Sequence, residues 1–465
     1  MVFADDVREY DEKNREQQRL TEKKNDENRY GKNIKGEYKV ASWVIMITIV
    51  IGIFLIPGQL FLQGVMKQVE DPMITDLQNN LSVSCQTGWC NRLLSFPMVL
   101  FNSFFSGALM VVWYLCADSL LAFKGAVMQA VGIFIVSFLS IIYKDGRPFW
   151  NSADIVSYEH CVFSFASPSI NSFNCFFFCA YKFIMSRRKY AGQTSTVTDG
   201  ILIVLMIVAN ASVYVAGLVN GLTYLYQSAM GTLTAFVYLV IVLTFDKEIH
   251  RWCEKTGFIL QSSRVRKFNT FFACLGGLVL YLMFYLAISD QWDVPQIWII
   301  NASFNSPVCT AQFNQRANNR IGTNQTFDQT GILFFIIGMV FGQSYSLNYV
   351  RPLLWVHTEP WRKVIRLVVG VAVSGAFSYG MYKLVEKSND QMTKYTGMFL
   401  IPNFIVSFFI FGLYPPFCKW IGWVIPREKF QQQIKARRDA EAKSKLSQAE
   451  KEDNDKDDGV TMEIK

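Results

Sequence analysis

The sequence predicts an all-α integral membrane protein of about ten transmembrane helices: a six-helix block that opens with an anchor, and a four-helix C-terminal extension. Three observations predict it. Of 465 residues 51% are hydrophobic and only 18% charged, and the charges concentrate in the two tails and a few short segments, whereas soluble domains average about 25% charged. Apolar runs of the length a helix needs to cross a hydrocarbon core of about 30 Å recur along the chain. Basic clusters and glycosylation sequons fall on opposite sides of the topology that those runs define.

The runs are 40–63, 94–117, 121–143, 169–186, 199–219, 222–244, 269–288, 331–350, 365–386 and 395–414. An even number of spans puts both termini on one side. The clusters SRRKY (186–190), RVRKF (264–268) and WRKVIR (361–366), together with both tails, share that side, and the positive-inside rule makes it cytoplasmic. The sequons at Asn80, Asn301 and Asn324 lie on the other side, as glycan acceptors would. So do Cys85 and Cys90, whose CQTGWC spacing suits a small disulfide in an oxidising lumen; Cys161 with Cys309 is a second pairing open to the sequence. The expected location is a multi-pass protein of an endomembrane or the plasma membrane.

Domain organisation follows from composition. Residues 1–39 form a tail of mixed charge almost without large aliphatic side chains, which cannot bury a core. That tail is no secretory signal peptide, so 40–63 is read as an uncleaved anchor. Residues 94–244 make the core, 245–268 an amphipathic cytoplasmic linker, and 269–414 the extension, with an outer loop at 289–330. The tail 415–465 turns from basic to acidic midway; its basic part suits either anionic headgroups or plain solvation.

Three polar segments converge on the outer end of the core. The third span ends in IIYKDGRPFW (141–150), which places Lys144 and Arg147 beside aromatic anchors. Arg147 offers a planar fork of donors suited to phosphate or carboxylate, although snorkelling to headgroups accounts for it equally well. The fourth span opens at ASPSINSFN (166–174), where Ser169 or a neighbour can cap a helix whose free amides favour an anion. The turn GLVNGLTYLYQ (217–227) returns to the same end.

These segments resemble the three motifs of the type 2 phosphatidic acid phosphatase superfamily, which are Lys-x6-Arg-Pro, Pro-Ser-Gly-His and Ser-Arg-x5-His-x3-Asp. The resemblance covers about residues 94–244 and implies a six-helix core and hydrolysis of lipid phosphates through a phosphohistidine, without metal or cofactor. Arg147-Pro148 and Pro168-Ser169 match. Ser140 stands at the Lys position, with Lys144 nearby, and Ile170-Asn171 replace Gly-His. In the third motif Asn220-Gly221 fall against Ser-Arg, Gln227 against the nucleophilic His and Gly231 against the Asp that would orient it.

Such a mechanism needs an imidazole nucleophile and an acid for the leaving alkoxide, and neither Asn171 nor Gln227 supplies them. The chain has three His. His250 and His357 fall in cytoplasmic segments, which leaves His160 as the one candidate catalytic residue on the outer side. The resemblance therefore implies a degenerate relative without catalysis. Arg147, Lys144, Ser169, Asn171 and Gln227 would then bind a phosphorylated headgroup or support the fold. The alternatives are an active lipid phosphatase built on Lys144, Arg147 and His160, or a transport or structural subunit whose function lies in the last four spans. Expected partners are membrane lipids, including phosphorylated headgroups, and no nucleic acid.

Overall fold

The computed structural model describes residues 41–80, 89–116, 119–157, 162, 164–189, 196–259, 295–305, 323–346, 349–350, 355, 358–386, 393, 396–424 and 432. Among the described residues every regular element is a helix. Five helices are long and apolar enough to cross a membrane, or seven if each of two bent pairs counts as one span. The seventh run, 269–288, lies outside the described residues. Several long apolar helices are what a multi-pass membrane protein requires.

The first element, α1 (Ser42–Asn80), is one helix of 39 residues that bends by 57° at Pro57. A proline inside a helix removes an N–H and crowds the preceding turn, which is the cause of the bend. Hydropathy ends the first span at 63, but the helix continues for three more turns and more, because its polar stripe finds buried partners in the core. The expected span 94–117 is likewise broken. Its halves α2 (Trp89–Leu100) and α3 (Ser103–Cys116) meet at 62°, and Asn102 caps the second by accepting the Phe105 N–H at 2.8 Å.

Next come α4 (Ser119–Tyr143), the short α5 (Pro148–Asn151), α6 (Ile170–Lys189), α7 (Thr196–Val219) and α8 (Leu225–Thr244). α6 is too polar to pass as a membrane span by composition, yet it lies inside the bundle against α4, α7 and α8. Phe173, Phe177 and Tyr181 stack along it at 5.9 and 5.5 Å and meet Tyr238 of α8. Lys124, an anomaly in an apolar run, is only 2% exposed. It pairs with Asp246 in the first turn of α9 (Asp246–Ile259), where a carboxylate also suits the helix dipole.

Beyond these lie α10 (Gln296–Phe304), α11 (Thr323–Ser346), α12 (Pro360–Glu386) and α13 (Thr396–Trp420). α13 contains π-helical turns at Thr396–Leu400 and Phe409–Leu413. α11 and α13 touch through glycine: a Cβ on Gly342 would lie 2.8 Å from Gly412 N, and one on Gly412 would lie 2.7 Å from Gly342 Cα. Small residues let helices approach closely where lipid removes any hydrophobic advantage of a contact. The extension is not a separate body, since Tyr114 and Phe123 share one core cluster with Trp355, Phe411 and Tyr414.

α7 and α12 leave most of their apolar surface uncovered, including Ile201, Leu205, Val208, Val364, Val368 and Val371. In water such faces are association patches, whereas hydrocarbon solvates them. The Gly342 packing yields a test. Gly342→Ala is expected to cost about 1–3 kcal/mol through overpacking and to lower the thermal midpoint in detergent. Gly375→Ala on α12, where a Cβ meets nothing within 4 Å, should not.

Candidate functional site

α4 ends at Lys144, whose φ of 49° is left-handed, the conformation that closes many helices. Asp145, Gly146 and Arg147 follow, before α5. Gly146 must be glycine for space, as its Cβ would come within 2.8 Å of Asn151 Oδ1 and of the Trp298 ring. The second segment enters through Ala166, whose N–H donates to Asp145 O at 3.0 Å, and through Ser169, whose N–H donates to Gln227 O at 3.1 Å. The third turns at Gly221, with φ of 61°, and its carbonyl accepts Phe149 N–H at 3.3 Å. All three segments therefore meet.

At their centre is Asp145, 0% exposed. Its Oδ2 accepts Tyr226 OH at 2.6 Å, Gln227 Nε2 at 2.8 Å and, more weakly, Gln59 Nε2 at 3.4 Å. Its Oδ1 pairs with Lys67 Nζ at 2.8 Å. Gln227, also 0% exposed, donates in addition to Gly146 O at 3.0 Å and accepts the Tyr224 N–H at 2.9 Å. Glu70 takes the first two amides of α8, Leu225 N at 2.5 Å and Tyr226 N at 3.2 Å. Asp71 accepts Tyr224 OH at 2.6 Å. Two carboxylates of the protein thus occupy positions that an anionic ligand would need, one on the Gln227–Lys67 donors and one on a helix N-terminus.

Arg147, expected to bind phosphate, is spent on the chain itself. Nε donates to Ser164 O at 2.7 Å, Nη1 to Leu222 O at 2.8 Å and Nη2 to Ser164 Oγ at 2.9 Å. The fork ties the second and third segments to the first instead of projecting into a cleft. Ser169 caps α6 as its sequence position suggests, accepting Ser172 N–H at a long 3.5 Å. Asn171 Nδ2 lies 3.3 Å from Met98 Sδ. Lys144 is half-buried at the rim, and none of the polar contacts described here involves its side chain. Gly231 cannot take the orienting Asp of the third motif, since any Cβ there would lie 2.3 Å from Ser169 O.

The outer-loop helix α10 covers this end. Asn301 Nδ2 donates to Trp150 O at 2.9 Å, and Asn305 Nδ2 donates to Ser152 O at 2.8 Å. Trp298 lies 5.9 Å from Trp150 between ring centroids. Asn301, one of the three sequon asparagines, is 7% exposed with its amide engaged. Asn80 is exposed at the end of α1 and Asn324 lies in the first turn of α11. Cys90 is disulfide-bonded; Cys85, its expected partner, and His160 lie outside the described residues.

Lys67, Glu70, Asp71 and Asp145 are absent from the sequence reading. A signal for the first two existed: Lys67, Glu70, Ile74 and Gln78 recur at three- and four-residue steps, a helical stripe in a stretch read as loop. Asp145 had none, since a carboxylate beside Arg147 looks like an ordinary interfacial pair. Compared with known proteins, the chain matches no family model, no curated sequence and no solved structure.

Lys67→Met strands a buried carboxylate and should cost about 3–5 kcal/mol. Asp145→Asn strands only a cation that is 21% exposed and should cost less, and the double variant should recover part of the loss in unfolding titrations. Gly231→Ala should reduce folded yield more than either, read by size-exclusion profile and thermal midpoint.

Proposed function

We propose that this chain is a catalytically silent, multi-pass membrane protein whose core keeps the arrangement of a lipid phosphate phosphatase and uses it as structure. The observation that carries the reading is the Asp145 carboxylate, seated on Tyr226, Gln227 and Lys67. Phosphoryl chemistry requires donors free to follow a developing charge. Here the Arg147 fork, the Gln227 amide and the α8 amides already have internal acceptors, and no imidazole among the described residues stands near them. In this reading the site braces α1, α4, α6 and α8, both termini face the cytoplasm, and lipid is the solvent of the outer helix faces and not a substrate.

The test is phosphate release by purified protein in detergent from phosphatidic acid, lysophosphatidic acid and sphingosine phosphate. The expected result is no turnover by the wild type, and none after Asn171→His with Gln227→His, since Asp145 and Glu70 still fill the site. Steady release abolished by His160→Ala or Arg147→Ala would replace this reading with an active phosphatase.

A further inference from the structure

Most cations at the end of the bundle away from Asp145 have partners inside the chain. Lys124 pairs with Asp246, Arg187 with Asp199 and Arg362 with Glu359, and Arg366 of α12 lies against the ring and carbonyl of Trp355. Lys182 of α6 differs. It is half-buried, and no carboxylate among the described residues lies within ion-pair distance of it. Its Nζ instead meets two aromatic rings, Trp113 of α3 at 5.3 Å and Phe178 of α6 at 5.1 Å from the ring centroids. Ring faces attract a cation, but they bring no negative charge to neutralise it.

The depth of this lysine narrows what can neutralise it. The apolar run that contains it ends at 186, so Lys182 sits one helical turn, roughly 6 Å, inside the boundary. That is within a lysine's reach of the headgroup layer. An apolar track begins beside it, because α3 packs on α6 and carries Phe105, Leu109 and Trp113 at four-residue steps, which places them on one helix face. Phe105 is exposed, and Leu109 and Trp113 are half-buried. From Trp113 the track leads toward the middle of the bilayer, the direction an acyl chain takes from its headgroup.

We propose that the α3–α6 junction binds one anionic phospholipid, with its phosphate on the Lys182 ammonium and an acyl chain along Trp113, Leu109 and Phe105. A cation without an internal anion favours a headgroup of net negative charge over a zwitterionic one, which brings a positive charge of its own. The rings of Trp113 and Phe178 hold the ammonium between the two helices, so the lipid meets a charge whose position is already fixed. The junction lies at the other end of α6 from the Asp145 network, and the inference does not depend on the function proposed above.

The experiment is thermal unfolding of the purified full chain in dodecyl maltoside with added phosphatidylglycerol or phosphatidylcholine. Sodium chloride at about 0.5 M screens attraction to the basic tails. The expected result is a midpoint that climbs with the logarithm of the phosphatidylglycerol concentration and stays level with phosphatidylcholine or soluble glycerol phosphate. Lys182→Met should lose the climb while keeping the wild-type midpoint in phosphatidylcholine. Lys182→Arg should retain it, as should Lys383→Met, which removes a lysine from the last turn of α12. Equal wild-type midpoints in the two lipids overturn the proposal, as does a full response in Lys182→Met or an equal response to glycerol phosphate. If Lys182→Met does not fold, photo-crosslinking of the wild type with a phosphatidylglycerol that carries a diazirine on its acyl chain decides. Label on residues 105–113 supports the site, and label confined to other segments overturns it.

Discussion

The Asp145 carboxylate is the constraint on which the described fold turns. An isolated carboxylate without water costs several kcal/mol, and Asp145 has no water-exposed surface. It persists because α1 brings Lys67, α8 brings Tyr226 and Gln227, and the Ala166 amide holds its backbone carbonyl. Each of those partners is in turn placed by another requirement. Gln227 caps its own helix through the Tyr224 N–H, and Lys67 is delivered by a helix that carries Glu70 to the α8 amides. The charge is stable only if several elements arrive together, which makes it a condition on the assembly of the bundle.

The same logic explains why α1 belongs to the core. An anchor that only crossed the bilayer would end at the last apolar residue. α1 continues to Asn80 and lays Gln78 between a loop carbonyl, Val156 O at 2.9 Å, and the last carbonyl of α7, Val219 O at 3.0 Å, while Gln78 Oε1 accepts the Val156 N–H at 3.1 Å. One glutamine thus satisfies backbone groups that no regular structure pairs, as buried loops require. α10 does comparable service from the other side, its two asparagine amides meeting carbonyls at the end of α5. Side-chain amides thus tie these loops together.

The two buried arginines show how partners and not burial set the role of a charge. Arg147 is surrounded by oxygens at good distance and locks three segments. Arg366 rests on an indole ring with one distant carbonyl. Both are buried, but the Arg147 donors meet oxygens, whereas the Arg366 Nε has no partner among the described residues.

Much was legible in the chain alone. Apolar run length and low charge pointed to a helical chain with several helices able to cross a membrane, and α4, α7, α8 and α12 lie close to their expected runs. The Pro168-Ser169 signal located the start of α6, and the meeting of three polar segments followed from their common end. What only the tertiary structure decided was which donors are free. Hydropathy and spacing report the polarity of a stretch, not the partner of a side chain. The Lys67–Asp145 pair, the Glu70 contact with α8 and the Asn301 bond to Trp150 join segments remote in sequence. The partners of Arg147 and Gln227, the reach of α1 and the burial of Asn301 all depend on those distant contacts, because a buried polar group is defined by what it meets in space.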